Sequence, residues 1–197
     1  VEAGARVAWP KVGMRIALSP NIGCGHCDMC IQGHTQLCPD YIGIGIGIDG
    51  GLAEYVRIPA AYIAQGNVVE IPEGVSYEEA ALNEPLSCSY HGLRACRIQL
   101  NEAVLIVGAG PIGLMMLQLA KVMGAGLVIM SQRSPHRRAL AEKFGADVAV
   151  NPMEQNLAEV VRSLTAGKGV DVAVVAAPSA EAQTQVVEVM AVHGRVN

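Results

Sequence analysis

Hydrophobic and polar residues change rhythm partway along this chain. Up to about Pro72 the apolar positions come in short runs broken by Gly, Pro and Asn: residues 15–19, residues 52–58 with period-two alternation, and residues 68–71. Alternation at period two puts one face of a strand on a core and the other in water, so this stretch predicts a small β-rich module with a cysteine-bearing loop inserted in it. Residues 43–48 alternate Gly with Ile. That pattern fits a strand with one bare face and a flexible loop equally well.

Ser76-Tyr77-Glu78-Glu79 has the form of a capping box, in which the hydroxyl and the carboxylate each satisfy a free amide of the helix start. A helix is predicted from there, interrupted at Pro85, with a second segment over about residues 86–97. Beyond it strands and helices take turns. Strands are predicted at residues 103–107, 127–131, 148–150 and 170–176 and again from Arg195, with helices from Pro111, from Pro135, around residues 157–164 and over about residues 180–190. Such alternation predicts an α/β fold with a doubly wound parallel sheet covered on both faces. Leu157, Val160, Val161 and Leu164 make one apolar stripe, and Ser134 before Pro135 supplies a cap and a first-turn proline. Gly124 and Gly194 stand where helices are predicted to stop.

Composition narrows the picture. With 197 residues, 51% hydrophobic and 16% charged, the chain can bury one sizeable core or two small ones. Its net charge of −4 argues against a nucleic-acid partner, which would need clustered Lys and Arg. No apolar run is long enough to predict a membrane helix, so no membrane partner is expected. Four of the six cysteines have metal-ligand spacing, which fits a reducing compartment, and the expected location is cytoplasmic. Residues 1–11 read like the middle of a domain and residues 194–197 like a strand just starting. The expectation is a fragment truncated at both ends, with any targeting segment upstream left open.

Cys24, Cys27, Cys30 and Cys38 form a C-x2-C-x2-C-x7-C array. Four thiolates around one ion leave no position for water or substrate, the arrangement zinc takes in structural sites. An iron–sulfur cluster is the chemical rival, since Cys38-Pro39 ends the array as in ferredoxins, but there the last gap is three residues and here it is seven. Zinc is the favoured ion, folding a loop too poor in apolar residues to hold itself. His26 and His34 read as ordinary loop residues.

The second motif is Gly108-Ala109-Gly110-Pro111-Ile112-Gly113, after an apolar strand and at a helix start. In that context Gly108 permits a tight turn, Gly110 clears the approach of a pyrophosphate, and Gly113 lets helix and strand pack closely. The amides near Pro111, Ile112 and Gly113 would face the anion, and proline sacrifices no hydrogen bond at a helix start. At the end of the next strand, where an acidic residue would hold the adenosine ribose, the chain has Ser131-Gln132-Arg133. Arg133 with Arg137 or Arg138 would instead hold a 2′-phosphate, which favours NADP over NAD. The alternative is that Gln132 bonds the ribose and the arginines are solvated.

These motifs together resemble the zinc-containing alcohol dehydrogenase family, the medium-chain dehydrogenases, and especially its polyol (sorbitol or galactitol-phosphate) and threonine dehydrogenase branch. The matching residues are Lys11-Val12-Gly13, the array from Cys24 to Cys38, Gly50-Gly51-Leu52-Ala53-Glu54-Tyr55-Val56, Asn83-Glu84-Pro85-Leu86 and the loop from Gly108 to Gly113. The resemblance implies a partial GroES-like catalytic domain over residues 1–85 with the structural zinc loop, then a Rossmann domain over residues 86–197, with an active site between them. It implies hydride transfer between a secondary alcohol or polyol and NAD(P), with a second, catalytic zinc. Glu84 would serve that metal, directly or through water; the plainer alternative is a helix-start carboxylate. The remaining ligands, a cysteine and a Gly-His-Glu motif, are expected upstream of Val1. Cys88 and Cys96 are expected as buried thiols, and His91 as a packing residue. Met14 replaces the family's usual aspartate and touches no chemistry. A small-molecule substrate and a homo-oligomer, dimer or tetramer, are implied for the full-length protein, and the fragment alone is expected to fold poorly and be inactive. A zinc-free quinone-oxidoreductase-like NADPH reductase, a nucleic-acid-binding zinc ribbon and a non-catalytic nucleotide-binding protein are the competing readings.

Overall fold

A computed structural model describes residues 2–197. The chain divides into two compact units, Val1–Leu82 and Asn83–Asn197.

In the first unit, β1 (Ile16–Leu18) pairs with β4 (Val68–Glu70), and β2 (Asn21–Ile22) with β3 (Ile42–Gly43), both antiparallel. Helix α1 (Asp28–Ile31) and a 3-10 turn (Thr35–Leu37) lie within the cysteine loop. Helices α2 (Ala60–Ala64) and α3 (Tyr77–Ala81) complete the unit. Its core is small: Ile22, Tyr62 and Val68, flanked by half-buried isoleucines such as Ile16, Ile44 and Ile58. The fully buried Tyr62 keeps its phenol within 3.0 Å of the Pro20 carbonyl and 3.2 Å of the Ile42 carbonyl, so its hydroxyl is not stranded.

Two expectations change here. Residues 52–58 form no strand and residues 52–57 are exposed, although their alternation suggested one. Alternation makes a strand only where a neighbour accepts its hydrogen bonds, and among the described residues none pairs with this segment. The Gly-Ile repeat mostly takes its loop reading. After β3 the chain turns at Gly45, whose φ is +85°, and a single bridge joins Ile44 to Ile48.

The second unit opens with α4 (Asn83–Cys96) and continues through β5 (Ala103–Val107), α5 (Pro111–Val122), β6 (Leu127–Ser131), α6 (Pro135–Lys143), β7 (Val148–Val150), α7 (Leu157–Leu164), β8 (Val170–Val175), α8 (Ala180–Glu188) and β9 (Met190–Val196). The five strands are parallel in the order β7-β6-β5-β8-β9. Every residue of β5 is buried, and the pleat sorts them. Val104 and Ile106 pack with Leu93 of α4, Leu117 of α5 and Ala141 of α6, while Leu105 and Val107 pack with Val161 of α7 and Val186 of α8. This two-sided burial explains why the strand reads as an unbroken apolar run.

The helix break falls at Leu82, not at Pro85. Pro85 occupies the first turn of α4, where its missing N–H has no intrahelical partner to lose. Gly124 does stop α5: its φ is +97°, its amide donates to the Lys121 carbonyl and the Ala125 amide to that of Ala120, a Schellman closure. Gly194 does not stop a helix. Helix α8 ends at Glu188, and Gly194 lies within β9, opposite a register shift in β8; a Cβ there would fall 2.4 Å from the Met190 methyl. The glycine marks a strand irregularity. The same strand carries Arg195, whose guanidinium forks onto both oxygens of Glu102 and whose Nε donates to the Cys96 carbonyl at 2.8 Å.

Candidate metal centre and nucleotide-binding loop

The cysteine loop converges. The four sulfurs of Cys24, Cys27, Cys30 and Cys38 lie within 4.8 Å of one another, the one such group of metal-ligating side chains among the described residues. Sulfurs at the corners of a zinc tetrahedron stand about 3.8 Å apart, and Cys27 Sγ to Cys38 Sγ is 3.8 Å. Backbone amides already point inward: that of Cys24 donates to Cys38 Sγ at 3.2 Å and that of Cys27 to Cys24 Sγ at 3.3 Å. The His26 amide, with those neighbours, brings the Cys24 thiol down to about 6. The Gly25 amide acts in the same sense on Cys30, yet burial and the three surrounding thiols drive that group up to about 12. One thiol ready to ionise beside another that resists is what a set of four crowded sulfurs gives before a cation neutralises them. The donor set therefore fits a closed structural zinc.

Gly23 was missed by the sequence reading. A Cβ on it would stand 2.4 Å from Cys30 Sγ and 3.0 Å from the Cys38 Cβ, so only glycine leaves space for the sulfurs to meet. Its position just before Cys24 was the available signal. Gln65, beyond α2, donates to the Gly23 carbonyl at 3.0 Å and props the loop from below; nothing in the sequence marked it.

In the second unit the glycine loop joins β5 to α5. Gly108 has φ +102°, and a Cβ there would be 2.8 Å from the Ala176 carbonyl oxygen; at Gly113 it would be 1.9 Å from the Gly108 carbonyl oxygen. Gly110 is the opposite case, with nothing within 4 Å of its would-be Cβ. Two glycines are thus demanded by the fold, and the third faces open space at the start of a 12-residue helix whose first amides have no intrahelical acceptors. Pro111 holds the first helical position. The arrangement fits a dinucleotide diphosphate, since the loop follows the central strand β5, where the strand order reverses.

Around the end of β6 the arginines separate. Ser131 is buried, and Gln132 turns back so that its Oε1 accepts from the Ser134 amide at 3.0 Å. Arg138 is occupied, donating to the carbonyls of Gln132 and Arg133. Arg137 is exposed, and Arg133 pairs at 3.4 Å with Glu181, both side chains mostly in solvent. No acidic side chain stands at the strand end itself.

Glu84 lies half-buried in the first turn of α4, and its Oε1 accepts a hydrogen bond from Cys88 Sγ at 3.4 Å. Desolvation of its sulfur, then Glu84, pushes the Cys88 thiol up. Cys96 is buried as expected, but Cys88 is exposed and so is His91, because the helical repeat turns them away from the face that carries Leu93 and Cys96 into the core. Two donors fall short of the three protein ligands of a catalytic zinc, so the described residues do not by themselves form a second metal site. A groove of about 430 Å³ lies beside α7 and the end of α8, between residues 152–158 and Gln185, Glu188 and Val189; none of the expected site residues lines it.

Comparison with known proteins agrees with this geometry. The chain matches the alcohol dehydrogenase GroES-like domain over residues 1–73 and the zinc-binding dehydrogenase family over residues 111–197. It belongs to the zinc-type medium-chain dehydrogenase/reductase family. It is 40% identical to D-arabitol-phosphate dehydrogenase from Enterococcus avium, over 87% of this chain and 48% of that protein. Among solved structures it is similar to a zinc-binding dehydrogenase from Sinorhizobium meliloti 1021 bound to NADP, with a TM-score of 0.88 and 38% identity, over 100% of this chain and 56% of that one. An alcohol dehydrogenase from Escherichia coli CFT073 complexed with NADH also has a TM-score of 0.88, with 31% identity over 98% and 56% of the two chains. The chain spans about half the length of the relatives it matches. No helix among the described residues is long and apolar enough to cross a membrane.

Proposed function

We propose that this chain is part of an oxidoreductase that moves hydride between a secondary alcohol or polyol and a nicotinamide cofactor, with NADP favoured. The observation that carries the reading is the glycine loop: Gly108 and Gly113 have no room for a side chain, whereas Gly110 faces open space where a diphosphate must come close. The similarity to D-arabitol-phosphate dehydrogenase supports a polyol or polyol phosphate as substrate. Bound partners would supply a hydride acceptor in the nicotinamide and Lewis acidity in a second, catalytic zinc of the full-length protein.

The chain's own residues do the positioning. The start of α5, from Pro111 through Ile112 to Gly113, receives the diphosphate; Ser131, Gln132 and Arg133 flank the adenosine ribose, with Arg133 and the exposed Arg137 offering charge to a 2′-phosphate. Glu84 contributes a carboxylate toward the second metal. The four cysteines hold the structural ion, and this argues against the zinc-free reductase reading. A reducing, cytoplasmic setting agrees with six free cysteines, four of them gathered as metal ligands, and a dimer or tetramer of the full-length protein follows from the family resemblance. The test is to incubate the full-length protein with polyols, polyol phosphates and NADP or NAD and follow the absorbance of reduced nicotinamide. Cofactor reduction with at least one of these alcohols is the expected result. Binding of either cofactor without any reduction would leave the non-catalytic reading in place.

A further inference from the structure

The ion pair between Arg133 and Glu181 joins two places that are distant in sequence and separated by a strand. Arg133 stands two residues past β6, and Glu181 is the second residue of α8, which follows β8. Between those strands runs β5. Strands two positions apart lie about 9.5 Å from each other, so a link between the two side chains spans the carboxyl end of β5, from which the glycine loop emerges. Glu181 is also steadied from its own helix, its Oε1 accepting from Gln185 Nε2 at 3.4 Å while Oε2 faces Arg133.

We infer that Glu181 is a specificity-determining residue for the cofactor. By engaging Arg133 it occupies the cation that a 2′-phosphate would use, and its own charge repels that phosphate, so it moderates NADP binding while leaving NAD, which has a neutral 2′-hydroxyl, almost unaffected. The inference rests on the reading of Arg133 as a 2′-phosphate ligand. The competition is modest in size, because both side chains are largely in solvent and exposed ion pairs are weak.

The experiment is calorimetric titration of the full-length protein, as wild type, Glu181→Gln, Arg133→Gln and the double variant, with NADP, NAD, and the fragments adenosine 2′,5′-bisphosphate and 5′-AMP. Glu181→Gln is expected to tighten NADP and the bisphosphate about two- to five-fold, with NAD and 5′-AMP unchanged. The gain should vanish in the Arg133→Gln background and shrink at high salt. If Glu181→Gln leaves NADP unchanged, or shifts NADP and NAD alike, while Arg133→Gln still weakens NADP, the role of Glu181 is overturned and the reading of Arg133 as a 2′-phosphate ligand stands. If Arg133→Gln leaves NADP binding intact, the reading of Arg133 as a 2′-phosphate ligand falls and the inference with it.

Discussion

The two units solve the same stability problem with different materials. The sheet unit packs an apolar layer on each face of a five-stranded sheet, and every residue of its central strand is buried. The first unit has a buried core of three residues, two antiparallel pairs of three residues or fewer per strand, and a loop whose fold converges on four sulfurs. Where apolar area is scarce, ligand bonds take its place. Ion binding in small structural zinc peptides is worth on the order of 10–16 kcal/mol, more than three buried side chains at about 1.5–3 kcal/mol each can replace.

That contrast breaks most visibly at the metal. Cys38→Ser removes the most buried of the four ligands. Zinc bound at this site should be lost by elemental analysis, and limited proteolysis should open the segment between residues 23 and 45. Amide-exchange protection of β5 should stay as it was. A loop that stays protease-resistant without its ion would show that the small core is sufficient and that the contrast is false.

The next largest effect separates two glycines of one loop. Gly113→Ala forces a methyl against the Gly108 carbonyl, and overpacking of this kind costs about 1–3 kcal/mol or more. Gly110→Ala meets nothing, so thermal unfolding should be unchanged while cofactor affinity drops in calorimetry. A Gly110→Ala protein with unaltered affinity would remove the main support for the nucleotide reading.

The legibility of the sequence follows the same division. In the sheet unit β5, β6, β7 and β8 announced themselves as apolar runs, because burial on two faces leaves a strong pattern, and Ser134 and Asn156 do cap α6 and α7 as such residues should; β9 did not, since it starts at Met190 where the end of a helix was expected. In the first unit the period-two run at residues 52–58 misled, since alternation is local whereas strand pairing is not. Gly194 misled for a related reason: a glycine permits a helix stop and a strand irregularity alike, and only the register of β9 against β8 decides. At the site, motif spacing revealed the four sulfurs and the glycine loop. It did not reveal Gln65 beneath the metal loop or Glu181 beside Arg133, which arrive from other elements.

A comparable effect lies in the polar seam of the sheet unit. The Arg195 guanidinium beside Glu102 holds that carboxyl below its ordinary value. A carboxylate whose folded value is depressed stabilises fully above its unfolded pKa and loses that contribution as pH falls through the folded one. Acid titration of unfolding should therefore show stability declining below the ordinary carboxylate range, and Glu102→Gln should flatten that part of the curve. Because these hydrogen bonds carry charge, the variant should also lose about 1.5–3 kcal/mol at neutral pH. Equal acid sensitivity in both proteins would mean that other carboxylates govern the transition.

The smallest expected change tests whether a local device matters more where the core is thin. The Ser76 hydroxyl accepts from the Glu79 amide at 3.1 Å, and the Glu79 carboxylate accepts from the Ser76 amide at 2.8 Å. Helix α3 has five residues and none is buried, so tertiary packing contributes little and the cap is its main support. Helix α6, capped by Ser134 through the Arg137 amide at 3.4 Å, also rests on the sheet through Ala141. Each Ser→Ala change removes the same oxygen, with a usual cost of about 0.5–2 kcal/mol. Measured by amide exchange at the helix itself, Ser76→Ala should unprotect the whole of α3, while Ser134→Ala should fray only the first turn of α6. If the two helices respond alike, packing on the sheet does not buffer a lost cap, and the contrast between the units reduces to the metal alone.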